Sequence, residues 1–201
     1  MANKENSRAI QKRTLMLVQL GVLTAIVVIL QIIAIAMRPM FPAFTISLVL
    51  LPITVGAAII GVHAGAWLGL AFGAAVLISG DANLFLVFNA PGTILVVLAK
   101  GLLAGTAAGF VYKLLASKSK TVAAACAGII CPIVNTGVFI VGSYLFFLPL
   151  ISEWAGGIES STTFIFFSMV GINFLVELGL NLVLIPVIVR LIEYGQDRRV
   201  T

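Results

Sequence analysis

Residues 92–116 read GTILVVLAKGLLAGTAAGFVYKLLA, an apolar run with Lys100 near its middle and glycines at 101, 105 and 109. Roughly 20 apolar residues in a helix cross the hydrocarbon of a bilayer, so this stretch reads as a membrane span. Working outward, polar and Pro/Gly interruptions divide the chain into six such segments, 13–37, 45–62, 64–80, 92–116, 121–149 and 163–192. The expected fold is all-α, a single domain over 1–201: a compact bundle of six transmembrane helices set in the lipid bilayer. Composition agrees, with 61% hydrophobic and 9% charged residues and a mean hydropathy of +1.20, far from the soluble balance of about half apolar and a quarter charged.

The opening MANKENSRAIQKR before an apolar run has the look of a secretory signal, and Ala34-Ile35-Ala36 offers a small-residue cleavage pattern. The run from Leu15 to Met37 is too long for a signal core, so a retained first helix is expected. Orientation follows the basic residues near span ends. Lys4, Arg8, Lys12, Arg13, Lys113, Lys118, Lys120, Arg190, Arg198 and Arg199 fall on one side and Arg38 on the other, which places both termini in the cytoplasm. The net charge of +5 is then an orientation signal, aided by anionic lipid, and no soluble basic surface exists for nucleic acid. Cys126 and Cys131, five apart on one helix, point different ways and read as packing residues.

Chemistry of the enzymatic kind has little to work with. The single histidine, His63, sits in a cytoplasmic turn, and there is no metal-ligand spacing, Ser-His-Asp set or phosphate-binding glycine loop. The expectation is no enzyme, no cofactor and no metal. A channel would want a ring of carbonyls or charges, and a proton-coupled carrier a chain of carboxylates; a single acidic residue lies deep in a span.

The informative groups are polar residues at depth. Lys100 lies roughly 12 Å below the outer end of span four, where a lysine costs on the order of 3 kcal/mol unless it snorkels or faces a polar cavity. Glu177 lies roughly 20 Å into span six, and Asn135 about the same distance into span five. Asn173 and Asn181 flank Glu177 at i−4 and i+4, on one helical stripe. Pro132 and Gly137 allow span five to bend beside this cluster. Two readings stay open: Lys100, Glu177, Asn173 and Asn135 as an ion pair and hydrogen-bond glue that lock the bundle, or as the wall and floor of a solute pocket open to the outside.

The connections are asymmetric. Gly61-Val62-His63-Ala64-Gly65 and Ser117-Lys118-Ser119-Lys120 are tight inner turns, whereas 38–44, 80–92 and 149–162 are longer outer connections. Loops on a rigid scaffold are common binding elements; Trp154, Phe41, Phe44, Phe85 and Phe88 in them read equally as headgroup anchors. Small residues form faces suited to close packing in lipid: Gly101, Gly105 and Gly109 in span four, Gly65, Gly69 and Gly73 in span three, and Gly21 to Ala25, with Thr24 beside them, in span one. The first two sets fit packing within the bundle. The span-one face fits a partner helix.

This arrangement resembles the substrate-binding S components of energy-coupling factor transporters. Local likenesses lie in Phe41-Pro42-Ala43-Phe44-Thr45-Ile46-Ser47-Leu48-Val49-Leu50-Leu51-Pro52-Ile53, in Gly61 through Gly73, in Leu98-Ala99-Lys100-Gly101-Leu102-Leu103-Ala104-Gly105 and in Cys131-Pro132-Ile133-Val134-Asn135-Thr136-Gly137. The resemblance implies capture of a vitamin or related micronutrient from outside a prokaryotic cell, in a pocket of the outer loops and the outer halves of spans four to six. It also implies docking through span one onto a transmembrane coupling subunit with two cytoplasmic ATPase subunits. That family usually has alanines four apart on its first helix; here Gly21 precedes Ala25. On this reading the loops after span one and over 80–91 gate the pocket, with Asp81, Asn83 and Asn89 as polar contacts. Lys100 would meet a carboxylate or phosphate, and Asn135 and Asn173 would read a hydrogen-bonding edge. The competing classes are a stand-alone gradient-driven carrier or small channel, and a structural membrane subunit.

Overall fold

A computed structural model describes residues 2–37 and 48–200, apart from the side chains of 2–9, 158–159, 166–169, 172–173, 193 and 195–200. The outer connection over 38–44 and the start of the expected second span lie outside the described residues. Every regular element among the described residues is helical. In order they are α1 (Ala2–Met37), α2 (Leu50–Ile59), α3 (Val62–Ile78), α4 (Asn83–Phe88), α5 (Ala90–Leu115) and α6 (Lys120–Gly142). A π-helical segment, Ser143–Phe147, then leads into α7 (Leu148–Ala155) and α8 (Ile158–Thr163). A second π segment, Phe164–Gly171, precedes α9 (Ile172–Val183) and α10 (Ile185–Val200).

Ile10–Met37, α5 and the continuous stretch Lys120–Ala155 are each long and apolar enough to cross a membrane. A fourth crossing is a broken pair, Phe174–Val183 and Ile185–Ile192, bent by 54°; α2 and α3 are shorter apolar helices. The sequence predicts an unbroken helix over 163–192, and the break has a local cause. Pro186 has no N–H for the Leu182 carbonyl and its ring crowds that carbonyl, so the helix restarts at Ile185. In α6 the reverse holds. The helix runs on through Pro132, and its regular hydrogen bonding changes only at Ser143.

Helix ends follow from their caps. The Asn89 side chain accepts a 3.0 Å hydrogen bond from the Gly92 N–H, and Pro91 in the first turn gives up no needed donor, which fixes the start of α5. Ser119 does the same for α6 through the Val122 N–H at 3.3 Å. The turn between α2 and α3 is narrower than expected, confined to Ile60 and Gly61, the latter with a φ of +128° that favours glycine. The outer connection over 149–162, expected as a loop, is largely the helices α7 and α8 on either side of a left-handed Gly156. The 80–91 connection likewise contains α4.

The bundle is organised on α3 and α5, whose glycine faces meet backbone to backbone. A methyl group on Gly69 would strike the Gly101 carbonyl, one on Gly101 the Gly69 carbonyl, and Gly65 and Gly105 form the same reciprocal pair. Farther along, a Cβ on Gly73 would lie 2.9 Å from the Val97 carbonyl oxygen, and one on Gly109 2.8 Å from the Val62 Cα. As the position on one helix rises by four it falls by four on the other, which is antiparallel packing in register. In lipid, where apolar burial does not drive helices together, this approach is a main source of cohesion. On the other side of α5, Gly142 admits the Val96 side chain. Around this pair Val27, Leu50, Ile53, Leu68, Phe72, Ala104, Ala127, Cys131 and Ile188 form the main core.

Gly69→Ala is expected to lower the thermal midpoint of the detergent-solubilised protein, because backbone must move to admit the methyl, at a cost of about 1–3 kcal/mol. Gly137→Ala, with nothing within 4 Å of the added carbon, serves as the comparison and is expected to melt at or above the parent.

Candidate functional site

Lys100 precedes Gly101 in α5, and Phe72 lies one turn beyond Gly69 in α3, so the glycine contact brings this lysine and this ring together. The Lys100 Nζ lies 5.5 Å from the centroid of Phe72 and 5.5 Å from that of Phe139 on α6. Two ring faces thus solvate the ammonium in part, an interaction worth up to about 2 kcal/mol each where water is excluded. Asp81 and Glu177 both lie within electrostatic range of Lys100. Asp81 is held in turn by the outer part of α1, where the Gln31 Nε2 donates to its carboxylate at 3.1 Å.

Lys100 and Glu177 are each partly buried. One turn inward from Phe139, Asn135 is 7% exposed, and its Oδ1 has no hydrogen-bond partner among the described residues. The Oγ of Ser143, fully buried where α6 passes into its π segment, is in the same condition. Asn181, 2% exposed, donates from Nδ2 to the Glu177 carbonyl at 2.8 Å, which orients its amide and leaves Oδ1 unmatched. Buried polar atoms without partners cost about 1–3 kcal/mol each.

An aromatic layer packs against Phe139. Phe85 of α4 packs against Phe147 at 4.8 Å, Trp154 at 5.9 Å and, edge to face, Phe139 at 6.0 Å between centroids. Phe147 joins Val96, Ile151, Ile165 and Val170 in a second apolar cluster, separate from the main core. Both π segments border this layer. Single-turn π geometry is common at functional positions, since the widened turn redirects side chains and frees a backbone group.

Of the residues expected from sequence, Asp81 and Glu177 lie within electrostatic range of Lys100, and Asn135 lies one turn from Phe139. Asn173 falls in α9 on the stripe of Glu177, with its side chain outside the described residues. Asn89 is engaged in capping α5, and Asn83 is exposed at the start of α4. Phe72, Phe139, Phe147 and Ser143 are additions that sequence reasoning did not pick out. Phe139 carried a signal, standing four residues after Asn135 on the same face. Phe85 and Trp154, considered as headgroup anchors, also pack on one another and on the buried Phe147.

The small-residue face of α1 points away from this site. Gly21 and Ala25 are exposed, and a Cβ on Gly21 would meet nothing within 4 Å. Thr24 between them accepts a 3.3 Å hydrogen bond from the Nε1 of Trp67, itself 54% exposed. Two apolar hollows lie elsewhere: one of about 440 Å³ between α1, α2 and α10, lined by Val22, Val55 and Val187, and one of about 570 Å³ beside Leu70, Ile94 and Leu98. Among the described residues no three His, Cys, Asp or Glu side chains are grouped to hold a metal ion, and both cysteines are free thiols.

Around Phe139 the structure brings together the Lys100 ammonium and, one turn to either side along α6 and its π segment, the unmatched oxygens of Asn135 and Ser143. No curated protein and no solved structure is significantly similar to the chain. A family model described as the substrate-specific component of ECF transporters, however, matches residues 15–189. That match covers most of the chain, and the chain belongs to the family of ECF transporter substrate-specific components, membrane subunits of transport systems.

Proposed function

We propose that this chain captures a vitamin or related micronutrient from outside a prokaryotic cell and hands it to an ATP-driven module, with Lys100, Asn135 and Glu177 at the centre of the binding site. The observation that carries the reading is the set of buried, unmatched oxygens of Asn135, Ser143 and Asn181 in the region of Lys100 and Glu177. Evolution of a mere lock would favour matched partners or apolar packing. In this proposal the chain crosses the membrane six times: α1, α2, α3, α5, the α6–α7 stretch and the bent α9–α10 pair. Both termini then face the cytoplasm, in keeping with the basic residues at Lys12, Arg13, Lys113, Lys118, Lys120 and Arg190.

The same orientation puts α4, α7 and α8 outside, where they would admit and retain the solute. Asp81, tied to α1 through Gln31, would couple this entrance to the first helix. The energy source is a partner. The exposed Gly21, Thr24, Ala25 and Trp67 face is proposed as the docking surface for a transmembrane coupling subunit that carries two cytoplasmic ATPases, since small residues let a partner helix approach closely in lipid.

Two substitutions separate these roles. Asn135→Leu removes an oxygen that has no protein partner among the described residues, so the ligand-free protein should melt within about 1 kcal/mol of the parent. Occupancy by the compound retained through purification, read by mass spectrometry, should fall at least tenfold. A large loss of stability would instead mark Asn135 as structural. Gly21→Leu fills open space, so folding and ligand binding should be unchanged. Uptake by the chain reconstituted with its coupling subunit and ATPases should be abolished, and uptake at the parental rate would remove α1 from docking.

A further inference from the structure

We propose that the hollow between α1, α2 and α10 holds an acyl chain of an anionic phospholipid, whose phosphate is bound by Lys12 and Arg190 in the leaflet on the side of the chain termini.

The hollow, about 440 Å³, opens beside the broken last crossing. There the chain bends by 54°, and α10 goes on to pack against α2 and α6. Pro52 and Val55 of α2, both buried, form the floor. Val22 and Ile26 of α1 and Val187 and Leu191 of α10, all exposed, form the walls. Helix direction alternates from crossing to crossing, so α10 runs antiparallel to α1. Gln19 and Tyr194, the polar residues among the described lining, therefore stand at the same end, nearest the termini.

Size and lining select the occupant. Val18 to Ile26 covers roughly 12 Å of α1, over which a helix 10–12 Å across would fill on the order of 1000 Å³. A partner helix would rest on the mouth of this hollow, whereas a single acyl chain enters it. The walls are branched aliphatics, and the small residues of α1 that suit close helix approach, Gly21 and Ala25, do not line it.

Lipid tails are as apolar as the walls, so selection falls to the headgroup. Lys12 stands seven residues before Gln19 on the same stripe of α1, and Arg190 lies between Val187 and Leu191, with a side chain long enough to snorkel toward the termini. Both are exposed. Among residues whose side chains are described, the charged groups at that end, Arg13, Lys113, Lys118 and Lys120 included, are all basic. The acidic ones lie elsewhere, Asp81 before α4, Glu153 in α7 and Glu177 in α9. Basic pockets between transmembrane helices bind phosphate headgroups, with Arg able to pair two N–H groups to one phosphate. Tyr194 adds an amphipathic ring at headgroup level.

Native mass spectrometry of the full-length chain in detergent, titrated with dioleoyl phosphatidylglycerol or dioleoyl phosphatidylcholine, tests the site. Retention of the anionic lipid is expected to exceed that of the zwitterionic one at least about fivefold, the scale of one or two basic contacts. Lys12→Gln combined with Arg190→Gln should reduce that preference below about twofold. Val22→Trp fills the hollow from an exposed wall and should lower retention of phosphatidylglycerol severalfold while the protein melts as the parent does; Val187→Trp, from the facing wall, should do the same. Equal retention of the two lipids, a preference that survives loss of both cations, or retention that survives both tryptophans overturns the proposal. Tryptophan variants that keep the lipid but no longer assemble with the coupling subunit also overturn it, and make the hollow a protein's seat.

Discussion

The backbone contact between α3 and α5 is the constraint from which the rest follows. Gly65 and Gly69 lie against Gly105 and Gly101 so closely that no side chain fits between them. With no hydrophobic drive between helices in lipid, that proximity supplies dispersion and dipolar contact along the whole pair. It also sets a register. Once Gly69 opposes Gly101, Phe72 faces Lys100, and once Gly142 of α6 opposes Val96, Phe139 reaches the same ammonium from the other side. The lysine–ring contacts are a by-product of two helix contacts made of the smallest residues available.

Around that fixed frame the outer part of the chain is irregular. Two π segments, a left-handed Gly156 and the short helices α4, α7 and α8 all lie in the half that carries the aromatic layer. Tight glycine packing and loosely regular geometry are thus divided between different parts of one small bundle.

How far the sequence reached depended on the kind of signal. Span length and composition are one-dimensional, and α1, α5 and α6 were legible from them. So was the packing of the glycine faces on α3 and α5, since a four-residue repeat of glycine has few other physical uses in lipid. The break at Leu184 was legible in principle, because Pro186 removes a donor in mid-helix, but an apolar run hides such a break from a length criterion. The helices within 149–162 were not legible, as short polar stretches with paired glycines read equally as loops. At the site, the ionisable residues declare themselves by their cost in the membrane. Phe72 and Phe139 look like any other apolar residue until register places them beside Lys100.

The central claim is that binding and energy supply reside in different molecules. The most direct measurement places the purified chain in proteoliposomes, alone and together with its coupling subunit and ATPases, and records solute bound and solute accumulated in the same vesicles. The chain alone should bind about one solute per protein and accumulate none, with accumulation appearing only when the full complex is supplied with ATP. Accumulation by the chain alone, driven by a proton or sodium gradient, would contradict the account.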